Sequence, residues 1–111
     1  MKYKFEISVR TLRRGDTEDK VCRCLENCIS LGDLEETFDY YRQMVEDLND
    51  DDTLAEAQVT ITDIAHNEKT LYYINQLGTI ERMDEYGNLY DNSDKRIGAI
   101  DIVGWNSGIR Q

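Results

Sequence analysis

Four side chains of this sequence could together bind a metal ion or perform thiol chemistry. Cys22, Cys24 and Cys28 lie within seven residues of one another, and His66 is the one histidine. Zinc accepts thiolate and imidazole ligands, but zinc ribbons and fingers follow one close cysteine pair with a second pair, which this chain lacks. A catalytic cysteine needs a base and an orienting group, and His66 falls in a predicted turn. We therefore predict that the three cysteines are reduced and act as small apolar residues of a strand. We also predict that the protein binds no metal and no cofactor.

Carboxylates are abundant, but their spacing indicates no catalytic or calcium site. Adjacent pairs recur along the chain, as expected of a solvated surface: Glu35-Glu36, Glu46-Asp47 and Asp84-Glu85. Asp50-Asp51-Asp52 resembles the start of a calcium loop, yet residues 49–60 lack the central Gly and the closing Glu of that pattern. The sequence also lacks a nucleophile elbow, a phosphate-binding loop and a His-Glu-x-x-His motif. We predict a protein without enzymatic activity.

Length and composition favour one small globular domain over residues 1–111. The chain has a mass of 13.0 kDa, 40% hydrophobic and 32% charged residues, and no proline. Its turns must therefore come from Gly, Asn and Asp. No apolar run approaches the roughly 18 residues of a membrane span, and residues 1–6 lack the apolar stretch of a signal peptide. These features predict a soluble, cytoplasmic protein.

The first third of the chain predicts a hairpin. Residues 2–12 alternate apolar and polar side chains, which is the period of a half-buried strand. Residues 13–19 form a polar loop, and residues 20–25 return as a second strand. A helical pattern competes in this second segment, where the matching positions are Val21, Cys24, Leu25, Cys28 and Ile29. The short run and the turn-like Glu26-Asn27 favour a strand.

Residues 30–49 predict the one long helix. Its apolar residues recur every three or four positions: Leu34, Phe38, Tyr41, Val45 and Leu48. Ser30 or Asp33 can cap its start, and acidic side chains in the first turn suit the exposed amides there.

The rest of the chain predicts a meander of strands. The segments are 55–65, 70–75 and 79–84, followed by the shorter candidates Leu89–Tyr90 and 97–105. No internal repeat is apparent. The predicted fold is α+β, a mainly antiparallel sheet in the order β-β-α-β-β-β with one amphipathic helix packed on one face.

Charge is distributed unevenly along the sequence. The net charge of −10 disfavours direct binding to nucleic acid or to anionic membranes and favours a basic partner. Residues 1–32 carry a net charge of +2, residues 33–56 carry −9 and residues 57–111 carry −3. The basic residues of the first segment are Lys2, Lys4, Arg10, Arg13, Arg14, Lys20 and Arg23.

The acidic middle segment is the predicted partner-binding site. Glu36, Asp39, Gln43, Glu46 and Asp50 step along the helix face opposite the apolar residues, with Glu35 and Asp47 beside them. From residue 33 to 50 this face would extend about 25 Å, with about half the charge density of duplex DNA. The predicted contacts are Glu35, Glu36, Asp39, Glu46, Asp47, Asp50, Asp51 and Asp52. Solubility alone is the competing explanation for this acidity.

A small, acidic, proline-free chain with this order of elements resembles the accessory proteins of bacteriophages and mobile elements. Anti-CRISPR and antirestriction inhibitors belong to this class, and some of them imitate DNA. The resemblance implies a non-enzymatic inhibitor that occupies the nucleic-acid-binding or partner-binding surface of a bacterial defence effector, with the acidic residues as its contacts.

A second function remains open from the sequence. The protein would then be an assembly or regulatory module that associates through sheet edges and aromatic residues. The aromatic candidates are Tyr40, Tyr72, Tyr73, Tyr86, Tyr90 and Trp105.

Overall fold

A long hairpin opens the chain in the computed structural model, which describes residues 2–100. Strand β1 spans Tyr3–Arg13 and β2 spans Lys20–Cys28. Their antiparallel pairing is continuous from Tyr3 opposite Cys28 to Thr11 opposite Lys20. The prediction of a second strand is confirmed, but β2 extends three residues past Leu25 because Glu26 and Asn27 keep their partners on β1 instead of turning.

The helix α1 spans Leu31–Leu48, with reciprocal side-chain caps at its start. The hydroxyl of Ser30 accepts a hydrogen bond from the backbone N–H of Asp33, and the Asp33 carboxylate accepts one from the N–H of Ile29. At the other end, the amide of Asn49 donates to the carbonyls of Val45 and Ala55 and accepts from the N–H of Ala55. Asn49 thus ties the end of α1 to the strand that follows.

Five strands follow α1: β3 (Thr53–Asp63), β4 (Glu68–Ile74), β5 (Ile80–Met83), β6 (Asn88–Tyr90) and β7 (Arg96–Ala99). All pairings are antiparallel, in the sheet order β2-β1-β3-β4-β5-β6-β7. The predicted α+β fold with one helix on the sheet is confirmed, but five strands follow the helix where the predicted order β-β-α-β-β-β has three, because the short segments β6 and β7 also pair into the sheet. The last strand begins at Arg96, one residue before the predicted start at residue 97, and the predicted positions 101–105 lie outside the described residues.

Three consecutive hairpin turns share one hydrogen-bond pattern, which was not predicted from the sequence. In each turn an Asn or Asp side chain accepts from the backbone N–H groups two and four residues later, and the fourth residue has a positive φ. The first residues are Asn75, Asp84 and Asp91; the fourth are Gly78, Gly87 and Asp94. Asp84 accepts the most hydrogen bonds of the three, from Asn88, Tyr86 and Tyr90. These bonds lower the pKa of Asp84 to about 2, and the side-chain hydrogen bond from Asn88 is the largest cause.

The hydrophobic core lies on both faces of the sheet. Under α1, Phe5 is fully buried between the rings of Phe38 and Tyr41, with centroid distances of 5.6 and 5.4 Å. The remaining buried residues of this cluster are Ile7, Val9, Cys28, Leu34, Val45, Ala55, Ala57, Val59 and Ile74. A second cluster of Tyr73, Met83 and Leu89 covers the opposite face of β4–β6. The helix therefore covers one half of the sheet, around β1 and β3.

Candidate functional site

Five of the predicted contact residues lie exposed on α1. They are Glu35, Glu36, Asp39, Glu46 and Asp47, hereafter the acidic helix face. Their position follows from the helical period, because Leu34, Tyr41 and Val45 bury the opposite side of α1 against the sheet. These carboxylates thus sit on a rigid element, facing solvent.

Arg42 lies within the acidic helix face and holds two of its carboxylates. Its guanidinium donates to Asp39 Oδ1 at 3.2 Å and to Glu46 Oε2 at 3.1 Å. The hydrogen bond with Asp39 is the largest cause of a raised Arg42 pKa. Gln43 donates similarly to Asp47 Oδ1 at 3.0 Å. Arg42 therefore reduces the net negative charge of the acidic helix face and holds the side chains of Asp39 and Glu46 in place.

The other three predicted contacts lie beyond α1, which corrects the prediction that Asp50 continues the helix face. Asp50 Oδ1 accepts from the backbone N–H groups of Asp52 and Thr53, both at 2.8 Å, and so shapes the loop. The guanidinium of Arg14 donates to the carbonyl of Asp51 at 3.0 Å and has its Nε 3.8 Å from Asp52 Oδ1. The structure therefore divides the eight predicted residues into an exposed helical group and a loop group beside a basic turn.

An apolar strip that was not predicted from the sequence lies next to the acidic helix face. Tyr40, Met44 and Leu48 are four residues apart, so they fall on one line along α1. Together with neighbouring carboxylates they line a shallow groove of about 600 Å³. Leu48 was predicted to belong to the core, but it is 39% exposed because α1 ends there. The i, i+4, i+8 spacing of these residues was the available signal.

A polar network occupies the sheet face away from α1. The Glu56 carboxylate accepts from the guanidinium of Arg10 and from the hydroxyl of Tyr73, and a second carboxylate, of Asp19, lies 3.5 Å from Arg10. Burial, and then the hydrogen bond to Glu56, raise the pKa of Tyr73. From the sequence, Arg10 belonged to the basic first segment and Tyr73 was a candidate aromatic contact. In the structure both side chains donate hydrogen bonds to Glu56.

The remaining aromatic candidates divide by exposure. Tyr86 and Tyr40 are 77% and 65% exposed. Tyr72 packs on Phe38, with ring centroids 5.3 Å apart, and the Tyr90 hydroxyl donates to Asp84 at 2.9 Å. Trp105 lies outside the described residues. Among the described candidates, an aromatic interface would therefore depend mainly on Tyr40 and Tyr86.

The three cysteines differ in their burial along β2. Cys22 is exposed, Cys24 is half-buried, and Cys28 is buried with its thiol 3.6 Å from the hydroxyl of Thr37. His66 lies in the β3–β4 turn and pairs with Asp63. Over residues 2–100, no group of three or more His, Cys, Asp and Glu side chains is arranged to hold a metal ion.

We predict that the fold needs no metal. Chelator should leave the melting temperature unchanged, and elemental analysis should find less than stoichiometric zinc, because the thiols behave as small apolar groups on β2. Stoichiometric zinc, or a large loss of melting temperature on chelation, would contradict this prediction.

The His66–Asp63 pair should give a measurable titration shift. The carboxylate lies 2.9 Å from His66 Nδ1, and this hydrogen bond raises the His66 pKa above its usual value and lowers that of Asp63. Because protonated His66 is favoured in the fold, its contribution to stability is present at acidic pH and is lost as pH rises through the folded pKa. In an NMR titration, Asp63→Asn should lower the His66 midpoint. An unchanged midpoint would show that the pair does not form in solution.

Comparison with protein-family models, with curated proteins and with solved structures finds no match to this chain. Among the described residues, no helix combines the length and apolar character needed to cross a membrane.

Proposed function

We propose that the protein is a non-enzymatic acidic binding protein that blocks a basic, nucleic-acid-binding surface of another protein. The target class is a bacterial defence nuclease such as a CRISPR effector, encountered in the cytoplasm. The observation that carries this proposal is the set of five exposed carboxylates on one face of an 18-residue helix. A rigid helix presents these charges at fixed spacing, so a partner need not order them on binding.

The charge density sets how such a surface would act. From Glu35 to Asp47 the face spans about 18 Å at the helical rise. Duplex DNA would carry about ten charges over that length. Five carboxylates and Arg42 give a net charge of −4, about two-fifths of that value. The proposed inhibition therefore relies on long-range attraction to a basic groove, and not on matching each phosphate.

Ionic strength provides the test of this proposal. A partner would first be isolated from bacterial lysate on immobilised protein and identified by mass spectrometry. Its dissociation constant would then be measured between 50 and 500 mM salt, where a charge-driven complex should weaken by about tenfold or more. Nucleic acid that binds the partner should compete with this protein. Binding that is insensitive to salt and unaffected by nucleic acid would refute the proposal.

A further inference from the structure

The strand β2 presents an unpaired sheet edge. It is the terminal strand of the sheet, and no strand within residues 2–100 lies against its outer side. Its nine residues pair with β1 in continuous register, without a bulge, and contain no proline. Bulges and prolines are two of the usual devices that prevent an edge from pairing with another strand. The β2 edge lacks both of them.

The two faces of β2 carry different side chains. Even-numbered residues face α1, since the Glu26 carboxylate accepts from the Tyr41 hydroxyl at 3.1 Å and Cys28 contacts Thr37. Odd-numbered residues face the other side, where Leu25 is 56% exposed and Val21 is half-buried. Any strand added to this edge would extend both faces.

We propose that β2 pairs antiparallel with β2 of a second copy of this chain, with the two-fold axis at Arg23. In this register Lys20 lies opposite Glu26 of the second copy, so two Lys–Glu pairs form. Val21 lies opposite Leu25, and Cys22 lies opposite Cys24, again twice each. Of the registers that keep both helices on one face of the joined sheet, this one pairs the opposite charges and covers Leu25.

One contact of this dimer, between the two Arg23 side chains, is unfavourable. The two Arg23 side chains meet at the axis and repel each other, which keeps the association modest.

Because directly opposed residues of a joined sheet point the same way, both α1 helices lie on one face. The dimer thus doubles the acidic surface. The inference does not depend on the proposed function, since it stands on the edge of β2 alone.

Charge exchange tests the register by analytical ultracentrifugation. The wild-type chain should show a concentration-dependent monomer–dimer equilibrium. Lys20→Glu should raise the dimer dissociation constant by about tenfold, because it places like charges opposite each other twice. Adding Glu26→Lys should restore the wild-type value to within about threefold, and Arg23→Ser should tighten the dimer. Lys95→Glu, in the exposed β6–β7 turn, is the charge-matched control and should have no effect.

The native cysteines provide a second test. Opposed residues of antiparallel strands have Cα atoms about 4.5–5.5 Å apart, within the range of a disulfide. With copper phenanthroline in air, Cys22 and Cys24 of opposite copies should join, their two thiols losing two protons and two electrons to oxygen. Cys22→Ser and Cys24→Ser should each prevent this cross-link, because the remaining thiol faces serine. An equal mixture of the two variants should restore it.

Three results would overturn the proposal. These are a monomer at all concentrations up to about 1 mM, a dimer unaffected by Lys20→Glu, and cross-linking of Cys22→Ser or of Cys24→Ser alone as efficient as that of the wild type. Circular dichroism melts of every variant would establish that each is folded, including Glu26→Lys, which loses the hydrogen bond from Tyr41.

Discussion

Neutralising the acidic helix face should abolish binding to the proposed basic partner while the fold is retained. The variant combines Glu36→Gln, Asp39→Asn, Glu46→Gln and Asp47→Asn. Each residue is exposed, so each change should alter the free energy of unfolding by less than about 0.5 kcal/mol. Amide oxygens can still accept from Arg42, so its position should be kept. Affinity should fall by about 100-fold or more, and any residual binding should depend little on salt. Titration calorimetry measures both effects.

The choice of residues in this experiment follows from the structure. Asp50 is left unchanged, because its carboxylate holds the loop backbone at Asp52 and Thr53. The matched control is Arg13→Gln at the exposed end of β1, which should preserve or improve binding to a basic partner. The proposal is falsified if the neutral variant binds as tightly as the wild type at physiological salt while Arg13→Gln loses binding. The basic turn would then be the functional surface.

Removing the Phe38 side chain should destabilise the domain by about 3 kcal/mol. Its ring packs edge-on against Phe5 and Tyr72, at centroid distances of 5.6 and 5.3 Å, and so joins α1 to β1 and β4. Phe→Ala changes in cores cost about 3–5 kcal/mol, and Phe38 belongs at the lower end because it is only half-buried. Urea denaturation followed by circular dichroism would give the free energy of unfolding.

Glu36→Ala supplies the control on the opposite side of the same helix. Glu36 is exposed, so its truncation should cost less than about 0.5 kcal/mol. Equal, small losses for Phe38→Ala and Glu36→Ala would show that α1 does not pack on the sheet through the side described here.

Local patterns predicted the elements that carry a strong period. The alternation of residues 2–12 and the three- and four-residue steps of Leu34, Phe38, Tyr41 and Val45 place β1 and α1 within two residues of their observed bounds. Predictions failed where a partner strand decides the conformation. Glu26 and Asn27 have turn-forming character, yet β1 holds them in β2. The hydrogen-bond pattern that the last three turns share was missed because Asp94 occupies the position that glycine fills in the other two.

The composition of the candidate site could be predicted from the amino-acid sequence alone: a helix with carboxylates on the side opposite its core residues, and an excess of negative charge in residues 33–56. Helical geometry follows from spacing along the chain, so no tertiary contact is needed to infer it. Which charged side chains remain available for a partner depends on contacts between distant parts of the chain. Arg10 is engaged by Glu56, 46 residues away, and Arg14 by the loop at Asp51, 37 residues away. Only the folding of the sheet brings these groups together, because hydrogen bonds act over a few ångströms irrespective of separation in sequence.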